Sequence, residues 1–324
     1  MRIIIILLFA SLTGISSGQS KMMFGDTSRR GIPFSKDPHV IRFQDRYLMY
    51  YSIPPYADKA NPIKGWGIGI AESRDLDSWT KIGEVTPGDN YEKKGLCAPC
   101  ALVIRDTVHL FYQTYGNRKK DAICHARSAN GIEFTRNITN PVFRPSGDWN
   151  CGRAIDAEVI GFDGLYLLYF ATRDTGYSIQ MQGVAATQNG TNFFRDDWQQ
   201  LTDYPILRPE LPWEQKCVEG ASIIKRGNML YMFYAGAYNN RPQQVGVALS
   251  KDGVSWSRIS EEPFLSNGRP GTWNSSESGH PHIFEDSDDR TYLFFQGNND
   301  NGKTWYISKT EVKWNNDGPY LYEE

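Results

Sequence analysis

The sequence predicts an all-β protein: a five-bladed β-propeller with about four antiparallel strands in each blade. Five strand pairs rich in aromatic and aliphatic residues recur along the chain, each with a polar or glycine-containing turn midway. A second strand pair follows each of them. The residues that head the five units are 61, 58, 63 and 61 positions apart. These heads are Asp37, Ala98, Asp156, Glu219 and His280.

Each unit can be read in order from the chain. The first strand pairs are VIRFQDRYLMYYS, LVIRDTVHLFYQTYG, VIGFDGLYLLYFATRD, IIKRGNMLYMFYAGAY and IFEDSDDRTYLFFQGNN. The second pairs are GIGIAESRDLDSWTKI, AICHARSANGIEFTR, MQGVAATQNGTNFFRDD, VGVALSKDGVSWSRI and TWYISKTEVKW. Five such units take up almost the whole chain after its first residues, which indicates one domain. A pair of β-sandwiches would not account for five equal units.

The chain begins with one arginine, an unbroken apolar run and then small residues, which is the layout of a secretory signal peptide. We therefore expect residues 1–18 to be a cleaved signal peptide and residues 19–324 to form a single catalytic propeller domain. The protein is then secreted or periplasmic. The apolar run is too short for a membrane span, and no later segment is a candidate for one.

The amino-acid composition indicates which classes of molecule the protein binds. The net charge is −2 with 22% charged residues, unlike the basic surface of a nucleic-acid-binding protein, so we expect no nucleic-acid partner. Aromatic residues make up 13% of the chain, and such rings are suited to packing against sugars as well as filling strands. Five cysteines are too few for a disulfide-built scaffold.

Carboxylates stand at three of the five unit heads. In a propeller the innermost strand of every blade lines the central channel, so Asp37, Asp156 and Glu219 should converge there. Several acids around one axis raise one another's pKa, a cost that usually accompanies chemistry. Hydrolysis of a glycosidic bond needs two carboxyl groups, one protonated and one ionised. The sequence therefore predicts a carbohydrate-cleaving site in the channel.

The chain resembles glycoside hydrolase family 43 and its propeller relatives over essentially all of residues 19–324. The resemblance is carried by Asp37 in KDPHV, Asp156 in AIDAEV and Glu219 in VEGAS. It implies that Asp37 is the general base, Glu219 the general acid and Asp156 a modulator of the pKa of that acid. Relatives often read W-A-P in blade two, where this chain has Cys97 in place of the aromatic residue.

His280, in SGHPH, heads the fifth unit and has two functional interpretations by resemblance. In many relatives a histidine at this position helps to hold a water-coordinated calcium ion. In the family 117 anhydro-galactosidases a histidine in a similar context resembles the proton donor. No cofactor is required for the chemistry, and a structural calcium in the central channel is one of the alternatives left open. A hydrogen-bonded channel histidine is the third.

Polar and aromatic residues near the unit heads are candidates for binding sugar. The expected substrate-binding residues are His39, Arg153, Trp66 and Gln296. Arg173, Gln182, Trp149 and Trp213 are secondary candidates.

The resulting hypothesis is an inverting exo-glycosidase that removes terminal β-xylosyl or α-L-arabinofuranosyl residues from plant or algal polysaccharide. Three alternatives stay open: an anhydro-galactosidase acting on red-algal oligosaccharides with His280 as acid, a retaining fructosidase-like enzyme, and a glycan-binding propeller without activity. The N-D-P-N signature expected of the fructosidase nucleophile is absent from the sequence. A carboxylate trio has no evident use in a lectin.

Overall fold

The computed structural model describes residues 22–88 and 90–322. Within these ranges twenty strands form five four-stranded sheets, each a blade in which neighbouring strands run antiparallel. The five-bladed β-propeller predicted from the repeats is confirmed. The predicted signal peptide, residues 1–18, lies outside the described residues. In the described part of the chain, no helix is long and apolar enough to cross a membrane.

The strands follow the chain order, from the innermost strand of each blade outwards. Blade one contains β1 (Lys36–Phe43), β2 (Arg46–Ile53), β3 (Gly67–Ser73) and β4 (Thr80–Val85). Blade two contains β5 (Leu96–Ile104), β6 (Thr107–Thr114), β7 (Ile123–Ser128) and β8 (Thr135–Arg136). Blade three contains β9 (Ile155–Phe162), β10 (Leu165–Arg173), β11 (Gln180–Thr187) and β12 (Gln199–Gln200). Blade four contains β13 (Val218–Arg226), β14 (Met229–Gly236), β15 (Gln244–Ser250) and β16 (Ser257–Arg258), and blade five contains β17 (Glu277–Glu285), β18 (Thr291–Asn298), β19 (Tyr306–Asn315) and β20 (Gly318–Leu321).

The hydrophobic core consists of five layers, each between two neighbouring blades. Each layer takes apolar residues from both sheets, as where Tyr50 of blade one and Leu110 of blade two are both fully buried. Similar layers lie between the other neighbouring blades, and the layer between blades five and one contains Phe294 and Met49. Because each blade packs between two neighbouring blades, its strands carry apolar side chains on both faces of the sheet. The five cysteines are free thiols, so packing and hydrogen bonds hold the blades together.

The N-terminal segment of the described chain closes the ring against blade five. Phe24 forms an antiparallel bridge with Ile307, and its N–H donates to the Ile307 carbonyl at 2.8 Å. Phe34 forms a parallel bridge with Trp305. The first and last parts of the fold are thereby joined by backbone hydrogen bonds, and β1 enters the channel beside β17.

A tyrosine in the second strand of blade one bonds to a glycine turn in blade two, and a tyrosine in the second strand of blade three bonds to a glycine turn in blade four. The Tyr50 hydroxyl donates to the Gly131 carbonyl at 2.8 Å, and the Tyr169 hydroxyl donates to Gly253 at 2.8 Å. Gly131 has φ +74°, and a Cβ there would lie 2.4 Å from Leu48. Only glycine suits both the left-handed turn and the close contact. The repeated turn motifs in the sequence thus serve as contacts between blades.

Candidate active site

Every innermost strand is irregular at the same point, near the mouth of the channel. In blade one the register with β2 shifts by one residue between Lys36 and His39, and blades two, four and five show the same shift. In blade three the register of β9 with β10 shifts between Tyr169 and Ala171 of β10. The residue inside each irregularity has a left-handed backbone: Asp37 (φ 51°), Ala98 (47°), Asp156 (52°), Gly220 (58°) and His280 (46°).

This repeated bulge belongs to the fold, and in three blades the bulged residue carries an ionisable side chain. A left-handed conformation costs a non-glycine residue roughly 1–2 kcal/mol. Ala98 accepts that cost although its side chain is only a methyl group, so the channel geometry imposes the bulge. Since the bulge interrupts the alternation of side chains, Asp37, Asp156 and His280 all face the channel.

The alignment of unit heads needs one correction, in blade four. The residue equivalent to Asp37 and Asp156 is Gly220, whereas Glu219 occupies the position that Lys36 holds in blade one. A Cβ on Gly220 would lie 3.2 Å from Cδ2 of His280. A glycine at this place therefore permits both the positive φ and the close approach of the imidazole ring.

Four of the heads, Asp37, Asp156, Glu219 and His280, converge on a cavity of about 280 Å³ at the channel mouth. Its walls carry three carboxyl groups, of Asp37, Asp156 and Glu219. Its other lining residues are Lys36, Trp66, Cys97, Gln113, Tyr115, Arg153, Ile155, Arg173, Gln180, Tyr238, Asn239 and His280. A larger hollow of about 450 Å³ on the outer part of blade two has one carboxyl group in its walls and no such convergence. The three sequence-predicted acids are thus brought together.

His280 lies between two of the acids. Its Nε2 atom is 3.6 Å from Oδ1 of Asp37 and 3.5 Å from Oδ1 of Asp156. Burial by itself lowers the pKa of His280, but the two carboxylates outweigh it and raise that pKa to about 9. At neutral pH the ring is therefore an imidazolium that neutralises part of the negative charge.

Asp37 and Glu219 have pKa values displaced in opposite directions. Burial would raise the pKa of Asp37, but the charges of His280 and Lys36 outweigh it and the pKa falls below its ordinary value. Burial raises the pKa of Glu219, and the charge of Asp156 adds to the rise. One cavity therefore contains an acid that ionises readily and another that keeps its proton longer.

Two side-chain amides fix the carboxyl group of Glu219. Gln243 Nε2 donates to Oε1 at 2.8 Å, and Gln180 Nε2 donates to Oε2. Gln243 also donates to the Ala237 carbonyl at 2.9 Å and is fully buried. These hydrogen bonds orient the carboxyl group, and the one from Gln243 favours its ionised form, but burial and the charge of Asp156 outweigh that effect and keep the pKa raised.

Glutamines of neighbouring blades hold the bulged backbone of the two aspartates. Gln296 Oε1 accepts from the Asp37 N–H at 2.9 Å, and Gln113 Oε1 accepts from the Asp156 N–H at 2.6 Å. Gln296 Nε2 donates in turn to Glu277 at 2.7 Å. Gln296 is fully buried and lies outside the cavity walls, so the structure gives it a positioning contact with Asp37 where the sequence suggested a sugar contact.

His39 lies in a second polar layer, deeper in the channel than the cavity. Its Nδ1 accepts from the Ala101 N–H at 3.2 Å, and its Nε2 faces Oε2 of Glu158 at 3.3 Å. The ring packs on His282, with centroids 3.8 Å apart. His39 is two residues beyond Asp37 along β1, and the strand runs inwards, which carries it below the cavity rather than onto the substrate side.

The surroundings of these histidines favour protons over a metal ion. His280 Nε2 lies 3.6 Å and 3.5 Å from two carboxylates, a setting that raises the pKa of the ring and favours a proton on that atom. His39, Cys100 and Glu158 are the one described cluster close enough to share a metal. There the Ala101 N–H occupies the lone pair of His39 Nδ1, which places the proton on Nε2, the atom facing Glu158. This layer is a hydrogen-bonded support beneath the site.

The aromatic candidates divide into one cavity residue and two packing residues. Trp66 lines the cavity beside Tyr115, with ring centroids 5.5 Å apart, and a third aromatic wall residue is Tyr238. Trp149 packs near Phe170 and Trp213 stacks on Tyr234, and neither lines the cavity. Tyr115 and Tyr238 follow the ends of second strands, so the sequence offered no separate signal for them.

Lys36 and Gln180 are site residues that sequence reasoning missed. Lys36 precedes Asp37, and strict strand alternation would point its side chain away from the channel; the bulge allows both neighbours to reach the cavity. Its Nζ donates to Asn239 at 2.5 Å and lies 4.4 Å from the centre of the Trp305 ring. In blade three it is Gln180, and not the secondary candidate Gln182, that lines the cavity.

Five blades around a funnel with paired carboxyl groups of opposite pKa displacement define a carbohydrate-active propeller. Residues 32–320 match the family described as glycosyl hydrolases family 43. The chain therefore belongs to glycoside hydrolase family 43.

Solved structures share the fold. An α-L-arabinofuranosidase from Lactobacillus brevis superposes with a TM-score of 0.70 at 16% identity, covering 90% of this chain and 94% of that one. An endo-1,4-β-xylanase from Bacteroides thetaiotaomicron gives 0.68 at 20% identity, covering 90% and 94%. At these identities the likeness establishes the fold alone.

Among curated proteins, a 1,2-β-oligomannan phosphorylase from Thermoanaerobacter is 27% identical over 146 residues. The alignment covers 41% of this chain and 47% of the relative. It thus spans about half the length of the relative that it matches.

Proposed function

We propose that this protein is a secreted, inverting glycosidase that releases terminal β-xylosyl or α-L-arabinofuranosyl residues from plant or algal polysaccharide. Asp37 acts as general base on the attacking water, and Glu219 protonates the leaving oxygen. The observation that carries the proposal is the convergence of these two carboxyl groups on one cavity, where their pKa values are displaced in opposite directions. Glycoside hydrolysis needs one ionised and one protonated carboxyl group at the same pH, and inversion is proposed from the family resemblance.

His280 and Asp156 complete the proposed mechanism. The imidazolium of His280 keeps Asp37 ionised while it holds Asp156 in place. Asp156 raises the pKa of Glu219, so that the acid retains its proton into the working pH range. As the leaving oxygen accepts that proton, Asp37 takes one from water, and the carboxyl pair has exchanged its protonation state.

The choice of sugar rests on the family and on the activities for which its structural neighbours are named. The two structural neighbours described above are named as an arabinofuranosidase and a xylanase. The curated relative is named as a phosphorylase, so reactions should be run with and without inorganic phosphate. Equal rates, and release of a free reducing sugar and the leaving-group alcohol without any sugar phosphate, are expected of a hydrolase. Secretion is proposed from residues 1–18 of the sequence.

The deciding experiment uses Asp37→Asn and Glu219→Gln on nitrophenyl glycosides and plant or algal oligosaccharides. Both changes are nearly isosteric, so we expect folded proteins whose turnover falls by about 10³-fold or more. Glu133→Gln, at the outer part of blade two, is the matched control and should keep full activity. Near-normal turnover by either site variant on a substrate that the wild type cleaves would refute the assignment. Proton NMR of the first product should show the inverted anomer.

His280 supports a second candidate, an anhydro-galactosidase in which it is the acid, because its pKa of about 9 keeps it protonated. Red-algal oligosaccharides ending in anhydro-galactose are the test substrates. If they alone are cleaved, and if Glu219→Gln retains the activity that His280→Gln loses, the second candidate replaces the first.

A further inference from the structure

Two arginines of blade three, Arg153 and Arg173, line the mouth of the cavity, and neither forms an ion pair with the three carboxyl groups of its walls. Arg153 Nη1 donates to Gln180 Oε1 at 3.2 Å, and Arg173 Nε donates to the same oxygen at 2.8 Å. Two guanidinium groups thus share one neutral acceptor. Each presents five N–H donors in a planar fork, so most of this donor capacity remains for a ligand.

Arg153 is buried, yet incompletely bonded. It is 8% exposed, and its Nε has no hydrogen-bond partner among the described residues. The nearest carboxylate oxygen, Oδ2 of Asp121, lies 3.8 Å away, beyond hydrogen-bond range. Asp121 already accepts from Thr114 and from the backbone of Asn117. Burying a cation whose N–H groups are incompletely paired is costly, and an anion in the adjoining cavity would offset that cost.

Arg173 is held in place by aromatic rings. Its guanidinium carbon lies 4.5 Å from the ring centre of Tyr177 and 5.1 Å from that of Tyr238. The adjacent Asp174 directs its carboxylate to the backbone N–H groups of Ser178 and Ile179. Stacking fixes the plane of the fork while leaving its edge free, an arrangement suited to binding an oxyanion.

The charges around the cavity also favour an anion. Its walls carry Lys36, Arg153, Arg173 and His280 against three carboxyl groups, of which Glu219 has a raised pKa. The cationic side chains thus outnumber the ionised acids when His280 is protonated. A neutral sugar would gain little from that excess, whereas an anionic substrate would be attracted into the funnel.

The position of the arginines identifies the part of the substrate that they meet. Arg153 precedes β9, and Arg173 ends β10, so both lie towards the mouth relative to Asp156. Gln180, their shared acceptor, donates to the carboxyl group of Glu219. A terminal sugar at the carboxyl groups would place its leaving group beside Glu219 and towards the mouth. The arginines therefore face the leaving-group side.

We propose that Arg153 and Arg173 form an anion-binding subsite, and that the natural substrate carries a carboxylate or sulfate group on the sugar at the leaving-group side of the scissile bond. This inference rests on the proposed function. It predicts cleavage next to an acidic unit of a polysaccharide, such as a uronic acid or a sulfated sugar, in preference to a neutral one. Planar guanidinium pairs match the oxygens of either group.

Calorimetric binding tests the subsite without turnover. The probes are glucuronate against glucose and galactose 6-sulfate against galactose, which distinguish the two anions, with inorganic phosphate in a separate run. We expect the wild type to bind one anionic sugar about tenfold or more tightly than its neutral partner, since charge-assisted hydrogen bonds are worth about 1.5–3 kcal/mol. Arg153→Gln and Arg173→Gln should each abolish that preference.

Arg208→Gln is the matched control, because Arg208 is exposed in blade three and lies outside the cavity walls. It should keep the wild-type preference. Arg173 is only half-buried, so its variant remains informative if Arg153→Gln fails to fold. An unchanged preference in a folded Arg173→Gln variant, or binding of phosphate with no discrimination between sugars, would overturn the subsite. Since binding is measured without catalysis, these outcomes are independent of the roles of Asp37 and Glu219.

Discussion

Nε2 of His280 lies 3.6 Å from Oδ1 of Asp37, although 243 residues separate them in the chain. The imidazolium lowers the pKa of the aspartate, and the aspartate, together with Asp156, raises that of the histidine to about 9. Each group thereby holds the other in its charged form. The proposed base therefore stays ionised, and so available to take a proton from water, at a lower pH than it would without His280.

Replacing His280 by Gln should therefore move the acidic limb of the kcat/KM profile to higher pH. The acidic limb reports ionisation of the proposed base, and without the imidazolium the burial of Asp37 raises its pKa. Turnover above that limb should be reduced modestly. The pH–rate profile between pH 4 and about 9 measures the shift. A uniform loss of activity that a dinitrophenyl leaving group restores would instead identify His280 as the proton donor.

Asp156→Asn should move the alkaline limb of the same profile to lower pH. Burial and the Asp156 charge both raise the pKa of Glu219, so removing the charge leaves burial alone and lets the acid ionise sooner. Gln243→Leu should move the alkaline limb the other way, to higher pH, because the hydrogen bond from Gln243 lowers the pKa of Glu219. If both variants leave the alkaline limb unmoved, Asp156 positions His280 or sugar and does not tune the acid.

Ala98→Gly should stabilise the protein by about 0.5–1 kcal/mol, since glycine removes the left-handed penalty at a cost in unfolded-chain entropy. Ala98 has φ 47° and its backbone N–H donates to Ser52 Oγ at 2.8 Å, a bond that glycine keeps. Urea unfolding of wild type and variant measures the difference. Ala101→Gly, in the same strand without a left-handed backbone, is the control and should be destabilised. A loss of stability at both positions would contradict imposed strain at the bulge.

The free energy of unfolding should fall steeply as the pH drops below about 6.5, the ordinary pKa of a histidine side chain. Burial lowers the pKa of His39 and His282 to about 3, of His125 to about 3 and of His109 to about 4. The unfolded chain binds these protons first, so the stability that each neutral histidine contributes is present above pH 6.5 and is lost as pH falls towards the folded pKa. Each contributes a slope of about 1.4 kcal/mol per pH unit.

The free energy of unfolding, measured in urea at a series of pH values from neutral pH down to pH 4.5, tests this prediction. His109→Phe removes one titrating group beside Phe193 and should reduce the slope. A stability that stays level from neutral pH down to pH 4.5 would show that the histidines are not held neutral.

The fold was predictable because its pattern is local and repeated. Alternating strands and turn residues recur five times, and each copy contains the hairpins that define its own blade. The convergence of Asp37 and Asp156 followed from that repetition, since equivalent positions in a ring meet at its axis, and Glu219, one residue before the equivalent position, reaches the same cavity. The roles assigned to these residues came from the family's motifs and remain a proposal.

Tertiary structure decided the rest, because the bulge breaks the two-residue alternation on which strand patterns depend. It brought Lys36 into the cavity beside Asp37 and made Gly220, not Glu219, the equivalent of the other heads. It also set the inward course of β1 that places His39 below the cavity. The hydrogen bond from the Asp37 N–H to Gln296 spans 259 residues, and no local pattern encodes such a partner. The sequence by itself determined the ring of blades and the acids at its axis, whereas the packing of one blade against the next decided which side chains surround them.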